Sequence, residues 1–316
     1  MWTGLGTTSF ARVLTLAALP VLLAGCSLKT MAVNSMAGML SESGTTFSSD
    51  DDPELIREAV PFTLKLYESL LESVPEHRDL LRATCSVFTQ YAYAFVQTDA
   101  EKIEPEDFEA SLAMKERALK LYLRGRAYCI RALELRRAGV EEALKLDPET
   151  ALAWARLEDV ELLYWTGASW GGAIAIGQGR PALVADVPAV RALMARALAL
   201  DETFQQGAIH AALISLEALP EAMGGSVERA RRHFERAVAL SNARDPGPYV
   251  TFAASVSVAT QNRAEFVKLL EQALALDPDD NPEVRLAAII AQQRARRLLD
   301  RVDELFFGAS AEGRHS

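Results

Sequence analysis

The sequence predicts an all-α protein, an α-solenoid of helix pairs, and three observations support this. Ala, Leu, Glu and Arg are frequent, and these residues favour helices because they keep rotamer freedom there and are not β-branched. Apolar residues recur at helical spacing from Pro53 onward. A short signature containing Ala and Leu also returns along the chain at intervals near those of helical repeats.

Length and charge limit the kinds of protein that this chain can be. Its 316 residues are 50% hydrophobic, enough for the core of one large domain or of two small ones. The formal net charge of -10 argues against nucleic acid as a partner, because phosphates need a surplus of Lys and Arg. The same charge argues against a broad electrostatic contact with anionic lipids.

The N-terminus has the pattern of an exported bacterial lipoprotein. Residues 1–25 contain one charged side chain, Arg12, followed by an apolar run from Val13 to Leu23 that is too short for a membrane span. The run closes with Leu-Ala-Gly-Cys, which resembles a lipobox and makes Cys26 the predicted lipidation site. The alternative is an ordinary secretory signal with an incidental cysteine.

This pattern predicts three segments and a compartment. Residues 1–25 form the signal peptide, residues 26–51 the lipidated N-terminus and a polar tether, and residues 52–316 a helical domain. An acylated Cys26 anchors a chain to a membrane surface without spanning it, so we expect a membrane-anchored protein in the periplasm. Ser27 is not an Asp that would suggest inner-membrane retention, so the inner and outer membranes both stay open.

The helical domain begins with clear helix signals. Asp51 and Asp52 can accept hydrogen bonds from the first N–H groups, and Pro53 is tolerated in the first turn. The apolar residues at helical spacing are Leu55, Ile56, Ala59, Phe62, Leu66 and Leu70. Pro75 marks a break, and the segment from Leu80 to Phe95 predicts a second helix.

One short signature recurs four times in this domain. Its copies are Ala143–Pro148, Ala197–Asp201, Ala237–Ser241 and Ala273–Pro278, at intervals of 54, 40 and 36 residues. The last interval is close to the tetratricopeptide period of about 34 residues, and Ala230, Phe234 and Ala237 have the spacing of that repeat's second helix. We therefore predict degenerate tetratricopeptide-type helix pairs; unrelated Ala-rich amphipathic helices are the alternative.

The longest interval contains a Gly-rich aromatic insertion, Trp165–Asp186. Insertions into such arrays usually form loops on one face, often the functional one. Aromatic side chains there could line a cavity for a small hydrophobic ligand, because they supply a large apolar area with a polar handle. The candidate ligand-binding residues are Tyr164, Trp165, Trp170 and, as weaker candidates, Tyr249 and Phe252. Plain core packing is the alternative.

Two motifs resemble enzyme signatures but lack their structural context. Gly167–Gly171 fits G-x-S-x-G, which would make Ser169 a hydrolase nucleophile with His210 or His233 downstream. Its flanks lack the alternating strands that this motif needs, so a tight turn between helices is favoured. Residues 177–182 fit a dinucleotide fingerprint, but prolines interrupt the helix that should follow. We predict no enzyme activity and no cofactor.

The histidines and the remaining cysteines show no metal-binding spacing. The histidines are His77, His210, His233 and His315. They lie far apart in sequence, so no metal site is predicted. Cys85 and Cys129 lie in helix-like stretches, and two small buried thiols are favoured, although an oxidising compartment would permit a bridge.

Three arginines, Arg117, Arg124 and Arg131, are spaced seven residues apart and share one helix face. They could contact an anion or an acidic partner. The favoured interpretation is a solvated face paired with local acids, because charge runs usually face water.

Several segments, taken in order, resemble one protein family. They are Ala118–Arg126, Leu163–Trp165, Trp170-Gly171, Gly207–His210, Ala230–Ala237, Pro248–Val250 and Phe266–Leu270. From about Asp52 to Phe307, the chain is similar to the T component of tetratricopeptide-associated TRAP transporters, a family of periplasmic lipoproteins.

The resemblance implies a partner role without covalent chemistry. It implies binding to the periplasmic substrate-binding P subunit of a TRAP transporter, a cavity or pore suited to a hydrophobic ligand, and self-association, for which a trimer is one form. The expected function is a lipid-anchored accessory component of a TRAP-type uptake system. The alternatives are an adaptor lipoprotein in cell-envelope assembly and a serine hydrolase that uses Ser169.

Overall fold

The protein is all-α in the part of the chain that the structure describes. The computed structural model describes residues 45–177 and 179–306, with Val33, Ser35 and Gly38. These residues contain α-helices, 3₁₀ turns and two π-helical stretches, without a β-strand, so the predicted fold class is confirmed. The predicted signal peptide and Cys26 lie outside the described residues. Within them, no helix combines the length and the apolar character needed to cross a membrane.

The first half of the described domain contains four helices of 14 residues or more. Its elements are α1 (Thr45–Ser48), α2 (Pro53–Ser73), α3 (Arg78–Tyr91), a π-helix (Ala92–Gln97), α4 (Thr98–Ile103), α5 (Phe108–Arg136), α6 (Val140–Leu146) and α7 (Val160–Ile176). α5 packs against both α3 and α7. The predicted second helix thus exists and continues through the π-helix into α4.

The second half consists of shorter helices. They are α8 (Pro181–Val184), α9 (Val187–Leu200), α10 (Ala208–Glu217), α11 (Val227–Leu240), α12 (Gly247–Phe252) with a π-helix (Ala253–Ser257), α13 (Arg263–Leu274), α14 (Arg285–Asp300) and α15 (Val302–Leu305). α7 packs with α9, α10 with α11, and α13 with α14. Packing between neighbours is typical of repeat proteins, and the solenoid arrangement itself stays a prediction. α14 also contacts α1 and α2, so late helices meet early ones.

α2 begins as predicted, but most of the residues that it buries are not the apolar residues named in the sequence analysis. Asp52 Oδ1 accepts hydrogen bonds from the backbone N–H groups of Glu54 and Leu55 at 3.0 and 3.1 Å, with Pro53 in the first turn. The buried residues of the helix are Ile56, Val60, Leu64, Tyr67, Glu68 and Leu71. Phe62 is 72% exposed and Leu55 56%. The apolar arc of α2 is wider than the surface on which it packs, so the arc alone did not identify the buried face.

The repeated signature marks helix ends. In its first three copies the helix ends at the second leucine position, and the next backbone N–H donates to the carbonyl of the first alanine. These bonds are Asp147 to Ala143 at 2.8 Å, Asp201 to Ala197 at 3.0 Å and Ser241 to Ala237 at 3.0 Å. The fourth copy differs, because α13 already ends at Leu274. The motif therefore coincides with a helix C-terminus in three of its copies.

The Gly-rich aromatic insertion is helical over much of its length, which corrects the prediction of a loop. α7 continues through it to Ile176, and the tight turn proposed for Gly167–Gly171 is wrong. A Cβ atom on Gly167 would lie 2.9 Å from Met194 Cε in α9. Glycine here allows close helix packing, which overrides its weak helix propensity. Within the described part of this insertion, irregular structure is confined to the residues around α8.

Cys85 of α3 and Cys129 of α5 form a disulfide, so the expectation of two buried thiols is wrong. Their Cα atoms lie 5.4 Å apart, within the range that disulfides adopt. The two helices pack side by side, which brings together cysteines that are 44 residues apart in sequence. The bridge therefore joins two helices of the same buried core.

Candidate ligand site

The structure separates the predicted ligand-binding residues into three places. Tyr164 and Trp165 lie together in the first half of α7. Trp170 follows in the same helix, but it is fully buried in the core. Tyr249 and Phe252 lie in α12 and belong to another core cluster. Only the first place combines aromatic side chains with accessible surface and polar groups.

Tyr164, Trp165 and Phe204 form a compact aromatic cluster. The rings of Tyr164 and Trp165 meet nearly edge to face, with centroids 4.9 Å apart and an interplanar angle of 70°. The ring of Phe204 lies 5.2 Å from that of Tyr164. These geometries are favourable for aromatic pairs. All three side chains are half-buried against the core, so the cluster keeps apolar surface accessible.

Phe204 was not predicted, and its place depends on an unusual turn. It begins the 3₁₀ turn that links α9 and α10. Gln205 and Gln206 in this turn have φ angles of 43° and 55°, in the left-handed region that side chains with a Cβ seldom adopt. Gly207 follows with φ of 98°. No local sequence pattern indicates that such a turn aims Phe204 at α7.

The indole N–H of Trp165 is buried and has no hydrogen-bond partner within the described residues. An unpaired buried donor costs about 1–3 kcal/mol. Native proteins usually satisfy such groups with protein atoms or with ordered water. The Trp165 N–H can therefore donate to a water molecule or to an acceptor atom of a guest.

Tyr164 is a half-buried residue whose hydroxyl is strongly desolvated. Burial, followed by the carboxylate of Asp245 and the hydroxyl of Tyr93, raises the pKa of Tyr164 to about 12. Its side chain nevertheless retains accessible surface. Tyr93 and Asp245 are the polar groups that act on it electrostatically.

Asp245 is a half-buried acidic residue in the loop before α12. Its Oδ1 accepts a hydrogen bond from the backbone N–H of Gly247 at 2.8 Å. Burial raises the pKa of Asp245, and this hydrogen bond opposes the increase. No Lys or Arg side chain pairs with it within the described part of the chain.

Tyr93 belongs to a second group of polar residues, with Arg294 and Glu101. Arg294 Nε of α14 donates to Glu101 Oε2 at 3.1 Å, and Arg294 Nη1 donates to the hydroxyl of Tyr93 at 3.3 Å. Glu101 raises the pKa of Arg294 against the opposing effect of burial. Tyr93 lies on the first π-helix and is 42% exposed. π-Helical segments occur frequently at functional sites, but this one carries no signature that sequence analysis could recognise.

Trp170 is a core residue whose contacts are all made within the protein. Its indole N–H donates to Asp186 Oδ2 at 3.1 Å, and the guanidinium of Arg126 lies 3.8 Å above its ring centre. Arg126 also donates from Nη2 to Glu141 Oε1 at 2.7 Å. With every part of the side chain enclosed, Trp170 stabilises the packing of α7 and leaves no surface for a ligand.

Tyr249 and Phe252 contact Phe234, the aromatic residue of the predicted repeat helix. The ring of Phe234 lies 5.4 Å from Tyr249 and 5.0 Å from Phe252. Phe252 is fully buried, and Tyr249 almost so. The structure thus places both in the core between α11 and α12, where aromatic packing explains them.

The serine of the hydrolase-like motif lies inside a helix. Ser169 is fully buried, and its Oγ donates to the carbonyl of Thr166 at 3.0 Å. His210 and His233, its proposed partners, contact each other instead. The strand–turn–helix context of a nucleophile is replaced by continuous α7.

The arginine face of α5 is paired locally where the structure shows its contacts. Arg124 forms an ion pair with Glu68 of α2. Arg131 Nη2 donates to the carbonyl of Pro75 at 2.9 Å. These contacts favour the interpretation as a partly exposed face that joins α5 to neighbouring segments.

Comparison with known proteins adds one family and one relative. A family model described as "TRAP transporter T-component" matches residues 49–306. A protein of Treponema pallidum (strain Nichols), described as "Uncharacterized protein", is 35% identical to this chain over 305 residues. The match covers 90% of this chain and 94% of the relative.

Proposed function

Because the chain belongs to the family of TRAP transporter T-components, and is thus an accessory component of a TRAP transporter, we propose that it binds the P subunit and a small hydrophobic ligand. The P subunit is the periplasmic protein that carries the transported substrate. The ligand would pack on the accessible surface of Tyr164, Trp165 and Phe204. Self-association, for example as a trimer, is part of this proposal.

The unpaired N–H of Trp165 is the observation that best supports ligand binding. It lies in an aromatic cluster with accessible apolar surface. Apolar walls with a few polar groups are the usual composition of small-molecule sites. A bound ligand with an acceptor atom would restore the missing hydrogen bond. Trp170, Tyr249 and Phe252 are left out of this site because they are enclosed in the core.

We also propose that Cys26 is acylated and anchors the protein in the periplasm. The lipobox-like sequence at residues 23–26 supports this. The Cys85–Cys129 disulfide is consistent with it, because such bonds form and persist in oxidising compartments, including the periplasm. A Cys26→Ser variant should move from the membrane fraction to the soluble periplasmic fraction, whereas unchanged fractionation would contradict lipid anchoring.

Binding to the P subunit is tested by affinity capture. The tagged full-length protein is incubated with periplasmic extract of the source organism, and the retained proteins are identified by mass spectrometry. Capture of a solute-binding protein, competed by untagged protein, would support the proposal. Capture of cell-wall or outer-membrane assembly proteins in its place would favour the adaptor alternative.

Ligand binding is tested separately with Trp165→Ala. Lipids and other small molecules that co-purify with the protein are extracted and identified, and their binding is then measured. We expect the variant to bind them more weakly while its helical circular dichroism stays unchanged. Equal binding by wild type and variant would remove Trp165 from the site.

A further inference from the structure

The turn between α9 and α10 is held in a conformation that its residues do not favour. Gln205 and Gln206 follow one another with φ angles of 43° and 55°, and left-handed backbone is unfavourable for residues with a Cβ atom. Such conformations persist where the surrounding structure imposes them. Phe204, whose ring lies 5.2 Å from that of Tyr164, directly precedes this pair. Contacts that fix the turn therefore also fix Phe204.

The side chain of Gln206 makes two such contacts, with residues that are 75 and 77 positions away in sequence. Its Oε1 accepts from Nδ2 of Asn281 at 2.8 Å, and its Nε2 donates to Oε2 of Glu283 at 2.9 Å. We call these three residues the Gln206 clasp. Both polar atoms of one amide are bound, which restrains the side chain and, through it, the left-handed backbone of the same residue.

Asn281 opposes opening of the clasp. It is only 8% exposed, so its amide would lose a partner in a buried place if Gln206 moved away. The segment that carries Asn281 is itself fixed. The turn that follows it, Pro282–Val284, packs on α1, and Nη1 of Arg285 donates to the carbonyl of Ser49 at 3.3 Å. The clasp therefore ties the strained turn to a well-packed segment.

The two left-handed residues differ in what restrains them. Gln206 has the two contacts of the clasp, whereas Gln205 is exposed and makes no side-chain hydrogen bond within the described residues. On the other side of Phe204, Glu202 accepts from Arg236 at 2.7 and 2.8 Å, which joins the turn to α11. Phe204 thus lies between two restrained residues, and Gln206 is the one that connects it to the segment before α14.

We propose that Asn281 and Glu283 are positioning residues for the proposed ligand surface. By holding Gln206, they keep Phe204 packed against Tyr164. When the clasp opens, the turn relaxes towards ordinary backbone angles and Phe204 leaves Tyr164, so the surface that the ligand needs is no longer assembled. This inference rests on the proposed ligand binding and adds the distant residues that assemble its surface.

The position of Phe204 is measured directly by ¹⁹F NMR. 4-Fluorophenylalanine is incorporated at position 204 of the full-length protein, where the neighbouring ring of Tyr164 shifts its resonance away from that of urea-unfolded protein. Gln206→Glu places a second carboxylate against that of Glu283. We expect this variant to move the resonance at least halfway to the unfolded value.

The rescue variant combines Gln206→Glu with Glu283→Gln, which exchanges the acid and the amide across the same contact. The carboxylate at position 206 again accepts from Asn281, and the amide at position 283 donates to it. This double variant should restore the wild-type resonance. Gln205→Glu is the matched control, because it makes the same change at the neighbouring left-handed residue, and it should leave the resonance in place.

Three results would overturn the role of the clasp. They are an unchanged resonance in Gln206→Glu, an equal movement in Gln205→Glu, and absence of rescue in the double variant. A purely structural role would lower the melting temperature of Gln206→Glu without moving the resonance. If circular dichroism shows that Gln206→Glu does not fold, Glu283→Lys disrupts the same contact at an exposed position and should move the resonance in the same direction.

A second readout connects the clasp with ligand binding. The neutral fluorescent probe N-phenyl-1-naphthylamine is titrated into the same variants. Its Kd should increase about tenfold in Gln206→Glu and return to the wild-type value in the double variant. Equal Kd values in wild type and Gln206→Glu, despite a moved resonance, would overturn the proposal. Absence of probe binding throughout would count against the proposed ligand surface, whereas the resonance would still decide whether the clasp positions Phe204.

Discussion

The Nδ1 atoms of His210 and His233 lie 2.8 Å apart and join α10 to α11. Nε2 of His210 lies 3.2 Å from Oε1 of Glu202. An ionised carboxylate only accepts, so a neutral His210 carries its proton on Nε2 and accepts at Nδ1. His233 then donates from its own Nδ1. Two doubly protonated rings would instead place two N–H groups face to face.

This pair predicts that acidification destabilises the protein. Burial lowers the pKa of His210, partly opposed by Glu202, and burial followed by His210 lowers the pKa of His233. The unfolded chain therefore binds protons more readily, and stability that is present above about pH 6.5 is lost as the pH falls. We expect the melting temperature to decrease by a few degrees between about pH 7 and pH 5.

His233→Phe tests this, because it keeps an aromatic ring and removes the titrating group. Its melting temperature should depend less on pH than that of wild type. His315→Gln serves as the control for loss of a histidine and should follow wild type. Arg236 holds the pKa of Glu202 at about 2, so that carboxylate stays ionised throughout. An equally steep decline in His233→Phe would refute the role of the pair.

The disulfide predicts a second effect on stability. A cross-link restricts the unfolded chain, and loss of a native disulfide typically costs about 2–4 kcal/mol. Replacing both Cys85 and Cys129 by alanine should therefore lower the urea midpoint. Reducing agent should destabilise wild type similarly and leave the double variant unaffected. Identical midpoints of wild type with and without reductant would show that the bridge does not form in solution.

We expect the two tryptophans of α7 to differ in how much stability is lost when each is replaced by phenylalanine. Trp170→Phe removes the hydrogen bond to Asp186 and weakens the contact with Arg126, which should cost about 1–3 kcal/mol. Trp165→Phe removes a buried donor that has no partner among the described residues, so it should change stability little in ligand-free protein. Urea unfolding of both variants measures the difference. A larger loss in Trp165→Phe would mean that its N–H is satisfied in the unliganded state.

Local signals of the sequence predicted local structure well. Asp52 and Pro53 identified the start of α2 because capping involves atoms within one turn. The repeated signature is local in the same way, because its copies coincide with the ends of α6, α9 and α11. The face of α2 was less predictable: Phe62 has helical apolar spacing and is still exposed, because the neighbouring helices decide which part of an apolar arc is covered.

Features that join distant segments were beyond prediction from one sequence. The contact of Tyr164 with Phe204 depends on left-handed residues in a turn 40 positions away. The sequence spacing of His210 and His233 indicates no contact between them, yet packing of α10 on α11 brings them together. Each case depends on helix packing, which no short motif encodes.

Adjacent glycines in α7 allow a sharp test of how closely this helix packs. A Cβ atom on Gly172 would lie 2.5 Å from Cε1 of Tyr122 in α5, whereas one on Gly171 would have its nearest contact at 3.6 Å, with Val190. Tyr122 cannot easily move away, because it is buried and its hydroxyl donates to Gln97 Oε1 at 2.8 Å.

Alanine is favoured over glycine in helices by about 1 kcal/mol, and overpacking of a core typically costs about 1–3 kcal/mol. Gly171→Ala should therefore be neutral or slightly stabilising in urea unfolding. Gly172→Ala should be destabilised by about 1–2 kcal/mol, because the clash outweighs the gain in helix propensity. Similar stabilities of the two variants would mean that α5 and α7 lie further apart than described. Loss of stability in Gly172→Ala but not in Gly171→Ala would show that glycine serves this helix for close packing. The two positions have the same helix propensity and differ only in what a Cβ atom would contact.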